Sequence, residues 1–398
     1  MRIAIAYSNR RVVGGIEAYL GRVIPELSRL GHRLAFWHEV EGPEDRERIE
    51  LPSGAPVWSV FDLGTTRALA ALGEWRPDLI YSHGLLDSEL ESEMVKVAPA
   101  VFFAHGYYGT CISGAKTFKY PVVRPCDRRF GWQCLMHYYP HRCGGISPKT
   151  MLGLYRLQSK RLDTLRHYAR IVTHSDHMVS EYTRHGLPAE RVYDFPYHEE
   201  REEADIDPQA RRDWRLLFAG RMDRLKGGGV FLDALPGVAA RIDLPLRVTF
   251  AGDGPERESW ERMAARKLSR RDKLSIEFTG WVDQRRMEFV LNDTDLLVVP
   301  SLWPEPFGLV GPEAGLKGVP AAGFAVGGIR DWLNDGVNGY LAPGDPPTSS
   351  GLAEAIVKCL GDQAVHARLR RGAARMAERF SLTNHVAALQ SVFEKVAG

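Results

Sequence analysis

Leu296-Leu297-Val298-Val299-Pro300-Ser301-Leu302-Trp303-Pro304-Glu305-Pro306-Phe307-Gly308-Leu309-Val310-Gly311-Pro312-Glu313 is the stretch on which the fold turns. Its four leading residues make a short apolar, partly β-branched run, which predicts a strand buried in a parallel sheet. Pro300 and Ser301 stop it. The prolines of Trp303 to Gly308 forbid helix and sheet, so this is a rigid loop that opens the next helix, on which Glu313 rides. Strand, loop and helix in that order put free backbone N–H groups and a positive helix end where a ligand reaches them, and phosphates bind there. Glu313 stands about five residues into that helix, roughly 8 Å along the axis at 1.5 Å per residue. Carboxylates accept hydrogen bonds from vicinal hydroxyls and repel a diphosphate. The pair Glu305 and Glu313 therefore points to a nucleotide-sugar and not a bare nucleotide, although two glutamates eight apart also suit a solvated helix start.

The composition sets bounds. A chain of 398 residues, 26% charged and 44% hydrophobic, has room for two globular domains. No apolar run approaches the roughly 18 residues of a membrane span. Met1 to Tyr7 enters a strand directly, with no signal-peptide core, which predicts a cytoplasmic protein. The net charge of +2 is unevenly spread, since twelve Lys and Arg between Lys116 and Arg170 face only Asp127 and Asp163. Such a basic region suits an anionic partner, either an anionic acceptor or the acidic inner face of a membrane, and equally a solvated basic face. Nucleic acid is not expected, because no binding motif accompanies the charge.

Working back to the start, Arg2 to Tyr7 is a strand, Gly14-Gly15-Ile16-Glu17 a glycine loop, and Ile16, Tyr19, Leu20, Val23, Ile24 and Leu27 a helical stripe ending at Gly31. The glycine pair lets a backbone approach phosphate, or simply makes a tight turn. It is not the dinucleotide fingerprint. Further strands at 32–37, 78–82 and 98–104, with helices between, predict a doubly wound α/β domain. The strand ending at Ala104 delivers His105 to the carboxyl edge of the sheet, where ligands bind in such folds. His83, at the preceding strand end, is a weaker candidate. Cys111, Cys126, Cys134 and Cys143 then cluster beside His137 and His141 without the spacing of a zinc ribbon, which leaves a structural zinc, buried thiols or disulfides open. A basic helix over Lys149 to Arg170 follows, with Leu152, Leu154, Tyr155, Leu157, Leu162 and Leu165 as an imperfect stripe, and then a strand at Ile171 to Ser175.

Phe195 to Asp207 reads as a polar linker. Beyond it, the strand Arg215 to Ala219 leads into Gly220-Arg221-Met222-Asp223-Arg224-Leu225-Lys226-Gly227, where Arg221 as a fork and Lys226 as a point charge suit the two phosphates of a diphosphate. Two fixed cations stabilise a departing nucleoside diphosphate without magnesium, so no catalytic metal is expected. Strands at 246–250, 276–279 and 321–324 continue the pattern. Val326-Gly327-Gly328-Ile329-Arg330 is a second glycine loop, and Asn338-Gly339 a turn.

Four of these stretches together resemble a known family. Glu305-x7-Glu313 (EPFGLVGPE), Gly14-Gly15-Ile16-Glu17, G-R-x4-K-G at Gly220 to Gly227, and His105 after its strand are similar to the motifs of the retaining GT-B glycosyltransferases of family 4, the glycogen-synthase-like group. The resemblance implies two Rossmann-like domains facing across a cleft: residues 1–198 on the acceptor side, with the Cys-rich basic insertion at about 106–148, and residues 199–380 on the donor side, with a final helix in 381–398 crossing back. It implies a nucleoside-diphosphate sugar, UDP or GDP favoured, as donor, and a glycan, lipid-linked or small-molecule acceptor. Glu313 would hold the ribose, Glu305 the sugar hydroxyls, and Arg221 and Lys226 the diphosphate. Backbone N–H groups at Phe307, Gly308 and Leu309 would hold the distal phosphate, Gly14, Gly15 and Gly220 would line the donor, Glu17 would face the acceptor, and His105 would orient the sugar. Trp303-Pro304 and Pro312 depart from the usual pattern, which bears on sugar identity. A nucleotide-sugar epimerase or hydrolase, and a non-catalytic nucleotide-sugar-binding protein, are the rival readings.

Overall fold

The computed structural model describes residues 1–195, 212–268 and 273–398, and these divide into two compact units. The first comprises residues 1–115, 128–197 and 382–398, the second 116–127 and 198–381.

In the first unit β1 (Arg2–Asn9), β2 (Arg33–Val40), β3 (Val57–Ser59), β4 (Leu79–Ser82) and β5 (Ala100–Ala104) precede β6 (Thr117–Phe118) and β7 (Arg124–Pro125), a short antiparallel pair outside the sheet; β8 (Arg170–Thr173) and β9 (Ala189–Arg191) follow. The sheet is seven-stranded and parallel, in the order β3-β2-β1-β4-β5-β8-β9. Its central strands are buried on both faces, which is why they read as unbroken apolar runs. The helix Gly15–Arg29 buries Tyr19, Leu20, Val23, Ile24 and Leu27 against it, the stripe its spacing predicts. The helix Leu382–Ala397 adds Val386, Leu389, Val392 and Phe393 to that same core.

The basic helix runs Pro148–Leu165 and stops five residues before the expected Arg170. Ala169 N–H donates to Ala100 O, so the edge of β5 captures the chain there and Arg170 opens β8. Of its stripe, Leu165 is buried while Leu152 is 41% exposed. Around it, Ile112, Phe130 and Tyr138 form a small core with Cys134 and Cys143 packed on it. None of the cysteines is in a disulfide. Cys126 falls in the second unit and the other three of the cluster in the first. Among the described residues no three His, Cys, Asp or Glu come together to hold a metal.

The second unit holds β10 (Trp214–Ala219), β11 (Leu246–Ala251), β12 (Leu274–Gly280), β13 (Leu296–Val299), β14 (Ala321–Phe324) and β15 (Gly339–Ala342). They form a six-stranded parallel sheet in the order β12-β11-β10-β13-β14-β15. Residues 116–127 pack with this unit, and Arg124 Nε lies 3.9 Å from Asp345 Oδ1. The linker expected over 195–207 falls outside the described residues except for Phe195, which is wholly buried in the first unit's core and is no linker residue. No described helix is long and apolar enough to cross a membrane.

Candidate functional site

In the second unit β10 hands the chain to the loop of Arg221 and β13 to the loop of Glu305; the two strands are sheet neighbours, so the loops meet at their carboxyl ends. Lys226 Nζ lies 2.7 Å from Glu305 Oε1, and Ser301 Oγ donates to the same oxygen at 2.6 Å. Glu305 is buried and Lys226 about one-third exposed, over the Trp303 ring at 5.6 Å. Arg221 is exposed and has no ion-pair partner among the described residues.

Backbone packing fixes these loops. Gly227 adopts φ +74°, and a Cβ there would stand 1.7 Å from Pro300 O, so only glycine lets the Lys226 loop lie against the end of β13. Leu302 N–H donates to Leu225 O across the same contact. Gly327, at φ +54°, packs against the backbone of Glu305, and Gly328 N–H donates to Glu305 O at 2.7 Å. The glycine loop at Gly327 and Gly328 is thus a brace for the Glu305 loop. Gly220 N–H is spent on Ala251 O.

The helix after Glu305 is Val310–Leu316, with Leu309 as its N-cap and Glu313 its fourth residue, half-exposed. Pro312 is its third residue, where the missing N–H has no intrahelical use. Phe307 is buried against Phe380, and its carbonyl takes the Trp332 indole N–H at 2.8 Å. Gly308, at φ +89°, turns the chain into the helix.

In the first unit Gly14 and Gly15 are exposed at the start of their helix. Glu17, expected to face an acceptor, is instead turned inward and only 3% exposed. One of its oxygens caps Gly14 N–H at 2.9 Å, and the other accepts from Tyr7 and Asn9 at 3.0 Å each. Its role there is to fix the glycine loop.

His105 is partly buried and not alone. Its Nε2 lies 2.9 Å from His83 Nδ1, its Nδ1 lies 3.2 Å from His174 Nε2, and His174 Nδ1 lies 3.3 Å from Asp194 Oδ2. Tyr19 packs beside them, its hydroxyl bonded to Tyr81 at 2.6 Å and to His385 at 2.7 Å. Burial, with the neighbouring imidazoles adding to it, holds His105 and His174 well below the usual histidine value and pushes His83 down to about 3. Burial likewise takes His385 down to about 4 and Asp194 up to about 7. The sequence reading found His105 and His83 but missed His174, Asp194 and His385. A signal for His174 existed: β4, β5 and β8 are each followed at once by a histidine, and they are neighbours in the sheet.

Two parallel α/β units, one with a cation loop beside a buried glutamate, define the class of the GT-B proteins. The solved Anabaena Alr3699/HepE, in complex with UDP, shares this fold over 99% of the present chain and 100% of its own, with a TM-score of 0.67 at 18% identity. The profile of Glycosyltransferase Family 4 matches residues 13–197, and that of Glycosyl transferases group 1 matches residues 213–362. Together the two profiles span most of the chain, which belongs to the family 4 glycosyltransferases. It is 33% identical over 178 residues to the D-inositol 3-phosphate glycosyltransferase of Xylanimonas cellulosilytica, covering 45% of this chain and 41% of that one. To the phosphatidyl-myo-inositol mannosyltransferase of Mycobacterium leprae it is 32% identical over 184 residues, 46% of each. The matches span less than half the length of either relative.

Proposed function

We propose that the chain is a retaining glycosyltransferase that moves a hexosyl unit from a nucleoside-diphosphate sugar to a glycan, lipid-linked or small-molecule acceptor, without a catalytic metal. The observation that carries this is the Lys226–Glu305 pair beside Arg221, an exposed cation with no ion-pair partner among the described residues. Arg221 and Lys226 take the diphosphate, Glu313 the ribose and Glu305 the sugar hydroxyls, while His105 orients the transferred sugar. UDP is favoured as the base carrier, since the structural neighbour was solved with UDP and with UDP-glucose.

The acceptor hydroxyl attacks the anomeric carbon from the face the diphosphate leaves. The sugar–phosphate C–O bond breaks as the new glycosidic bond forms, and the leaving phosphate oxygen takes the hydroxyl proton. Fixed cations at that oxygen do the work a divalent ion does elsewhere. Around the insertion, Trp132, Met136 and Ile146 are exposed beside exposed Arg128, Arg129, Arg142 and Lys149. Apolar anchors among cations suit an anionic lipid surface, which would bring a lipid-linked acceptor to the enzyme.

The test is a panel of UDP-, GDP-, ADP- and dTDP-sugars, read by thermal shift and by nucleoside-diphosphate release with EDTA present, first without acceptor and then with a cell lipid extract. Stabilisation by one donor, with release raised by the extract, supports a transferase. Binding of none sinks the donor-site reading. Equal release without acceptor moves the assignment to an epimerase or hydrolase.

A further inference from the structure

The carboxyl ends of three neighbouring strands, β4, β5 and β8, carry His83, His105 and His174, and Asp194, which follows β9, closes the row. The 2.9 and 3.2 Å contacts joining the three histidines are hydrogen bonds, and His174 Nδ1 stands 3.3 Å from Asp194 Oδ2, close enough to pair although the angle there falls short of a hydrogen bond. At the Asp194 end, Oδ1 accepts Phe195 N–H at 3.0 Å, and among the described residues no Lys or Arg pairs with this carboxylate, which is 6% exposed. At the far end, His83 Nε2 is buried and has no hydrogen-bond partner among the described residues. A row of imidazoles with one acid end and one open end admits two hydrogen-bond directions.

We infer that Asp194, acting through His174, sets the tautomer in which His105 is held, so that Asp194 and His174 are positioning residues for the transfer. With Asp194 a carboxylate, each histidine carries its proton on Nδ1: His174 donates to Asp194, His105 to His174, and His83 to His105. With Asp194 protonated, its O–H donates to His174 Nδ1 and every histidine carries its proton on Nε2. The two states differ by one proton. Passage between them needs one proton from solvent at His83 Nε2, which must open to water to receive it: His83 then gives its Nδ1 proton to His105, His105 gives its own to His174, and His174 gives its own to Asp194. No imidazole stays charged, as its burial demands.

Among the described residues, the other titratable side chains packed on the row include Tyr7 of β1, Tyr19 of the first helix, Tyr81 of β4 and His385 of the last helix. Burial raises the Tyr7 and Tyr81 hydroxyls and lowers His385 to about 4, so none of these three changes charge near neutrality. Asp194, raised to about 7 by burial, is the member of the group that does.

The relay stands on these contacts alone, whereas its effect on turnover rests on the proposed transferase reading. The test is a nitrogen-15 NMR titration of histidine-labelled full-length protein from pH 5.5 to 8.5, beside the pH profile of kcat and of the donor KM. The expected result is Nδ1–H tautomers for His105 and His174 at high pH, Nε2–H at low pH, and one shared midpoint that reappears in kcat. Asp194→Asn, whose amide oxygen still accepts from Nδ1–H, should fix the high-pH tautomers at all pH values and remove the midpoint from kcat, leaving the donor KM within about 2-fold. Fixed tautomers in the unaltered protein, or a midpoint that survives Asp194→Asn, overturn the relay. The titration of the unaltered protein decides this even where the variant does not fold. Tautomers that switch while kcat does not follow overturn the positioning role. Switching tautomers in a protein that turns over no nucleotide-sugar would leave the relay standing and sink the transferase reading instead.

Discussion

Lys226 Nζ stands 2.7 Å from Glu305 Oε1, although one residue follows β10 and the other follows β13. In the proposed site this pair would hold until an anionic ligand competes for the lysine. Removing a fixed donor of this kind costs about 10²–10³ in rate where charge develops in the transition state. Lys226→Ala should therefore lower diphosphate release at least 100-fold. Stability should fall by about 1–3 kcal/mol, because the change leaves the buried Glu305 carboxylate with Ser301 but without its cation. Paired turnover and thermal-melting measurements check this, and a variant that keeps its turnover would remove Lys226 from the site.

Gly227→Ala should be worse for the fold than Lys226→Ala. A left-handed φ of +74° alone costs a side chain about 1–3 kcal/mol, before the 1.7 Å approach to Pro300 O is relieved. That relief must push the Lys226 loop off the end of β13. A urea melt should show the loss, and affinity for any nucleoside diphosphate should fall with it.

Most of the fold is legible in the sequence because it is written in buried parallel strands. β13 and β14 lie at the expected 296–299 and 321–324, where apolar runs end at Pro300 and before a glycine loop. β3, β9 and β15 are not legible, being three or four residues long at or near the sheet edges, too short to show a period. The cation loop and Glu305 are legible as motifs. What the motif cannot say is that Glu305 already holds Lys226, or that Glu17 turns inward to cap its own helix, since both depend on which way a side chain points. His174 and Asp194 are missed for another reason: their meaning lies in strand order, which brings β8 beside β5 across some 65 intervening residues.

The exposed residues between Arg128 and Lys149 form a surface with a testable property. Trp132, 63% exposed, and Ile146, 92% exposed, sit among cations worth about 1 kcal/mol each near an anionic leaflet. The protein should sediment with phosphatidylglycerol vesicles and not with phosphatidylcholine vesicles. Trp132→Ala combined with Ile146→Ala should weaken that association while thermal stability holds. Equal binding to both lipids would contradict a charge-led contact.

Phe393, fully buried in the first unit, meets the Tyr81 ring at 5.0 Å. Phe393→Ala should cost about 3–5 kcal/mol, the range for deleting a buried phenyl group. Because Phe393 shares its core with Ile3, Ile5 and Val101 of the sheet, the loss should appear as reduced stability of the first unit and not as local fraying of the last helix. Hydrogen exchange resolves the two, and fraying confined to residues 382–398 would show that the helix docks weakly.

The buried acid and bases of the first unit pull stability in opposite directions with pH. Asp194 has a native value of about 7 against about 3.9 unfolded, so between these values the folded protein holds the proton the unfolded chain has lost. Its contribution therefore falls as pH rises from about 4 through 7, to a cost on the order of 4 kcal/mol above that range. His83 and His385, with native values of about 3 and about 4, do the reverse: below about 6.5 the unfolded chain takes protons that the folded protein refuses, and stability drops on acidification. Asp194→Asn removes the first effect and keeps the second. Its stability relative to the unaltered protein should rise from pH 5 to pH 8 in urea titrations, by a few kcal/mol at most, while both proteins lose stability alike below pH 6 through the histidines. An Asn variant whose relative stability is flat across that range would mean that Asp194 ionises as an ordinary carboxylate.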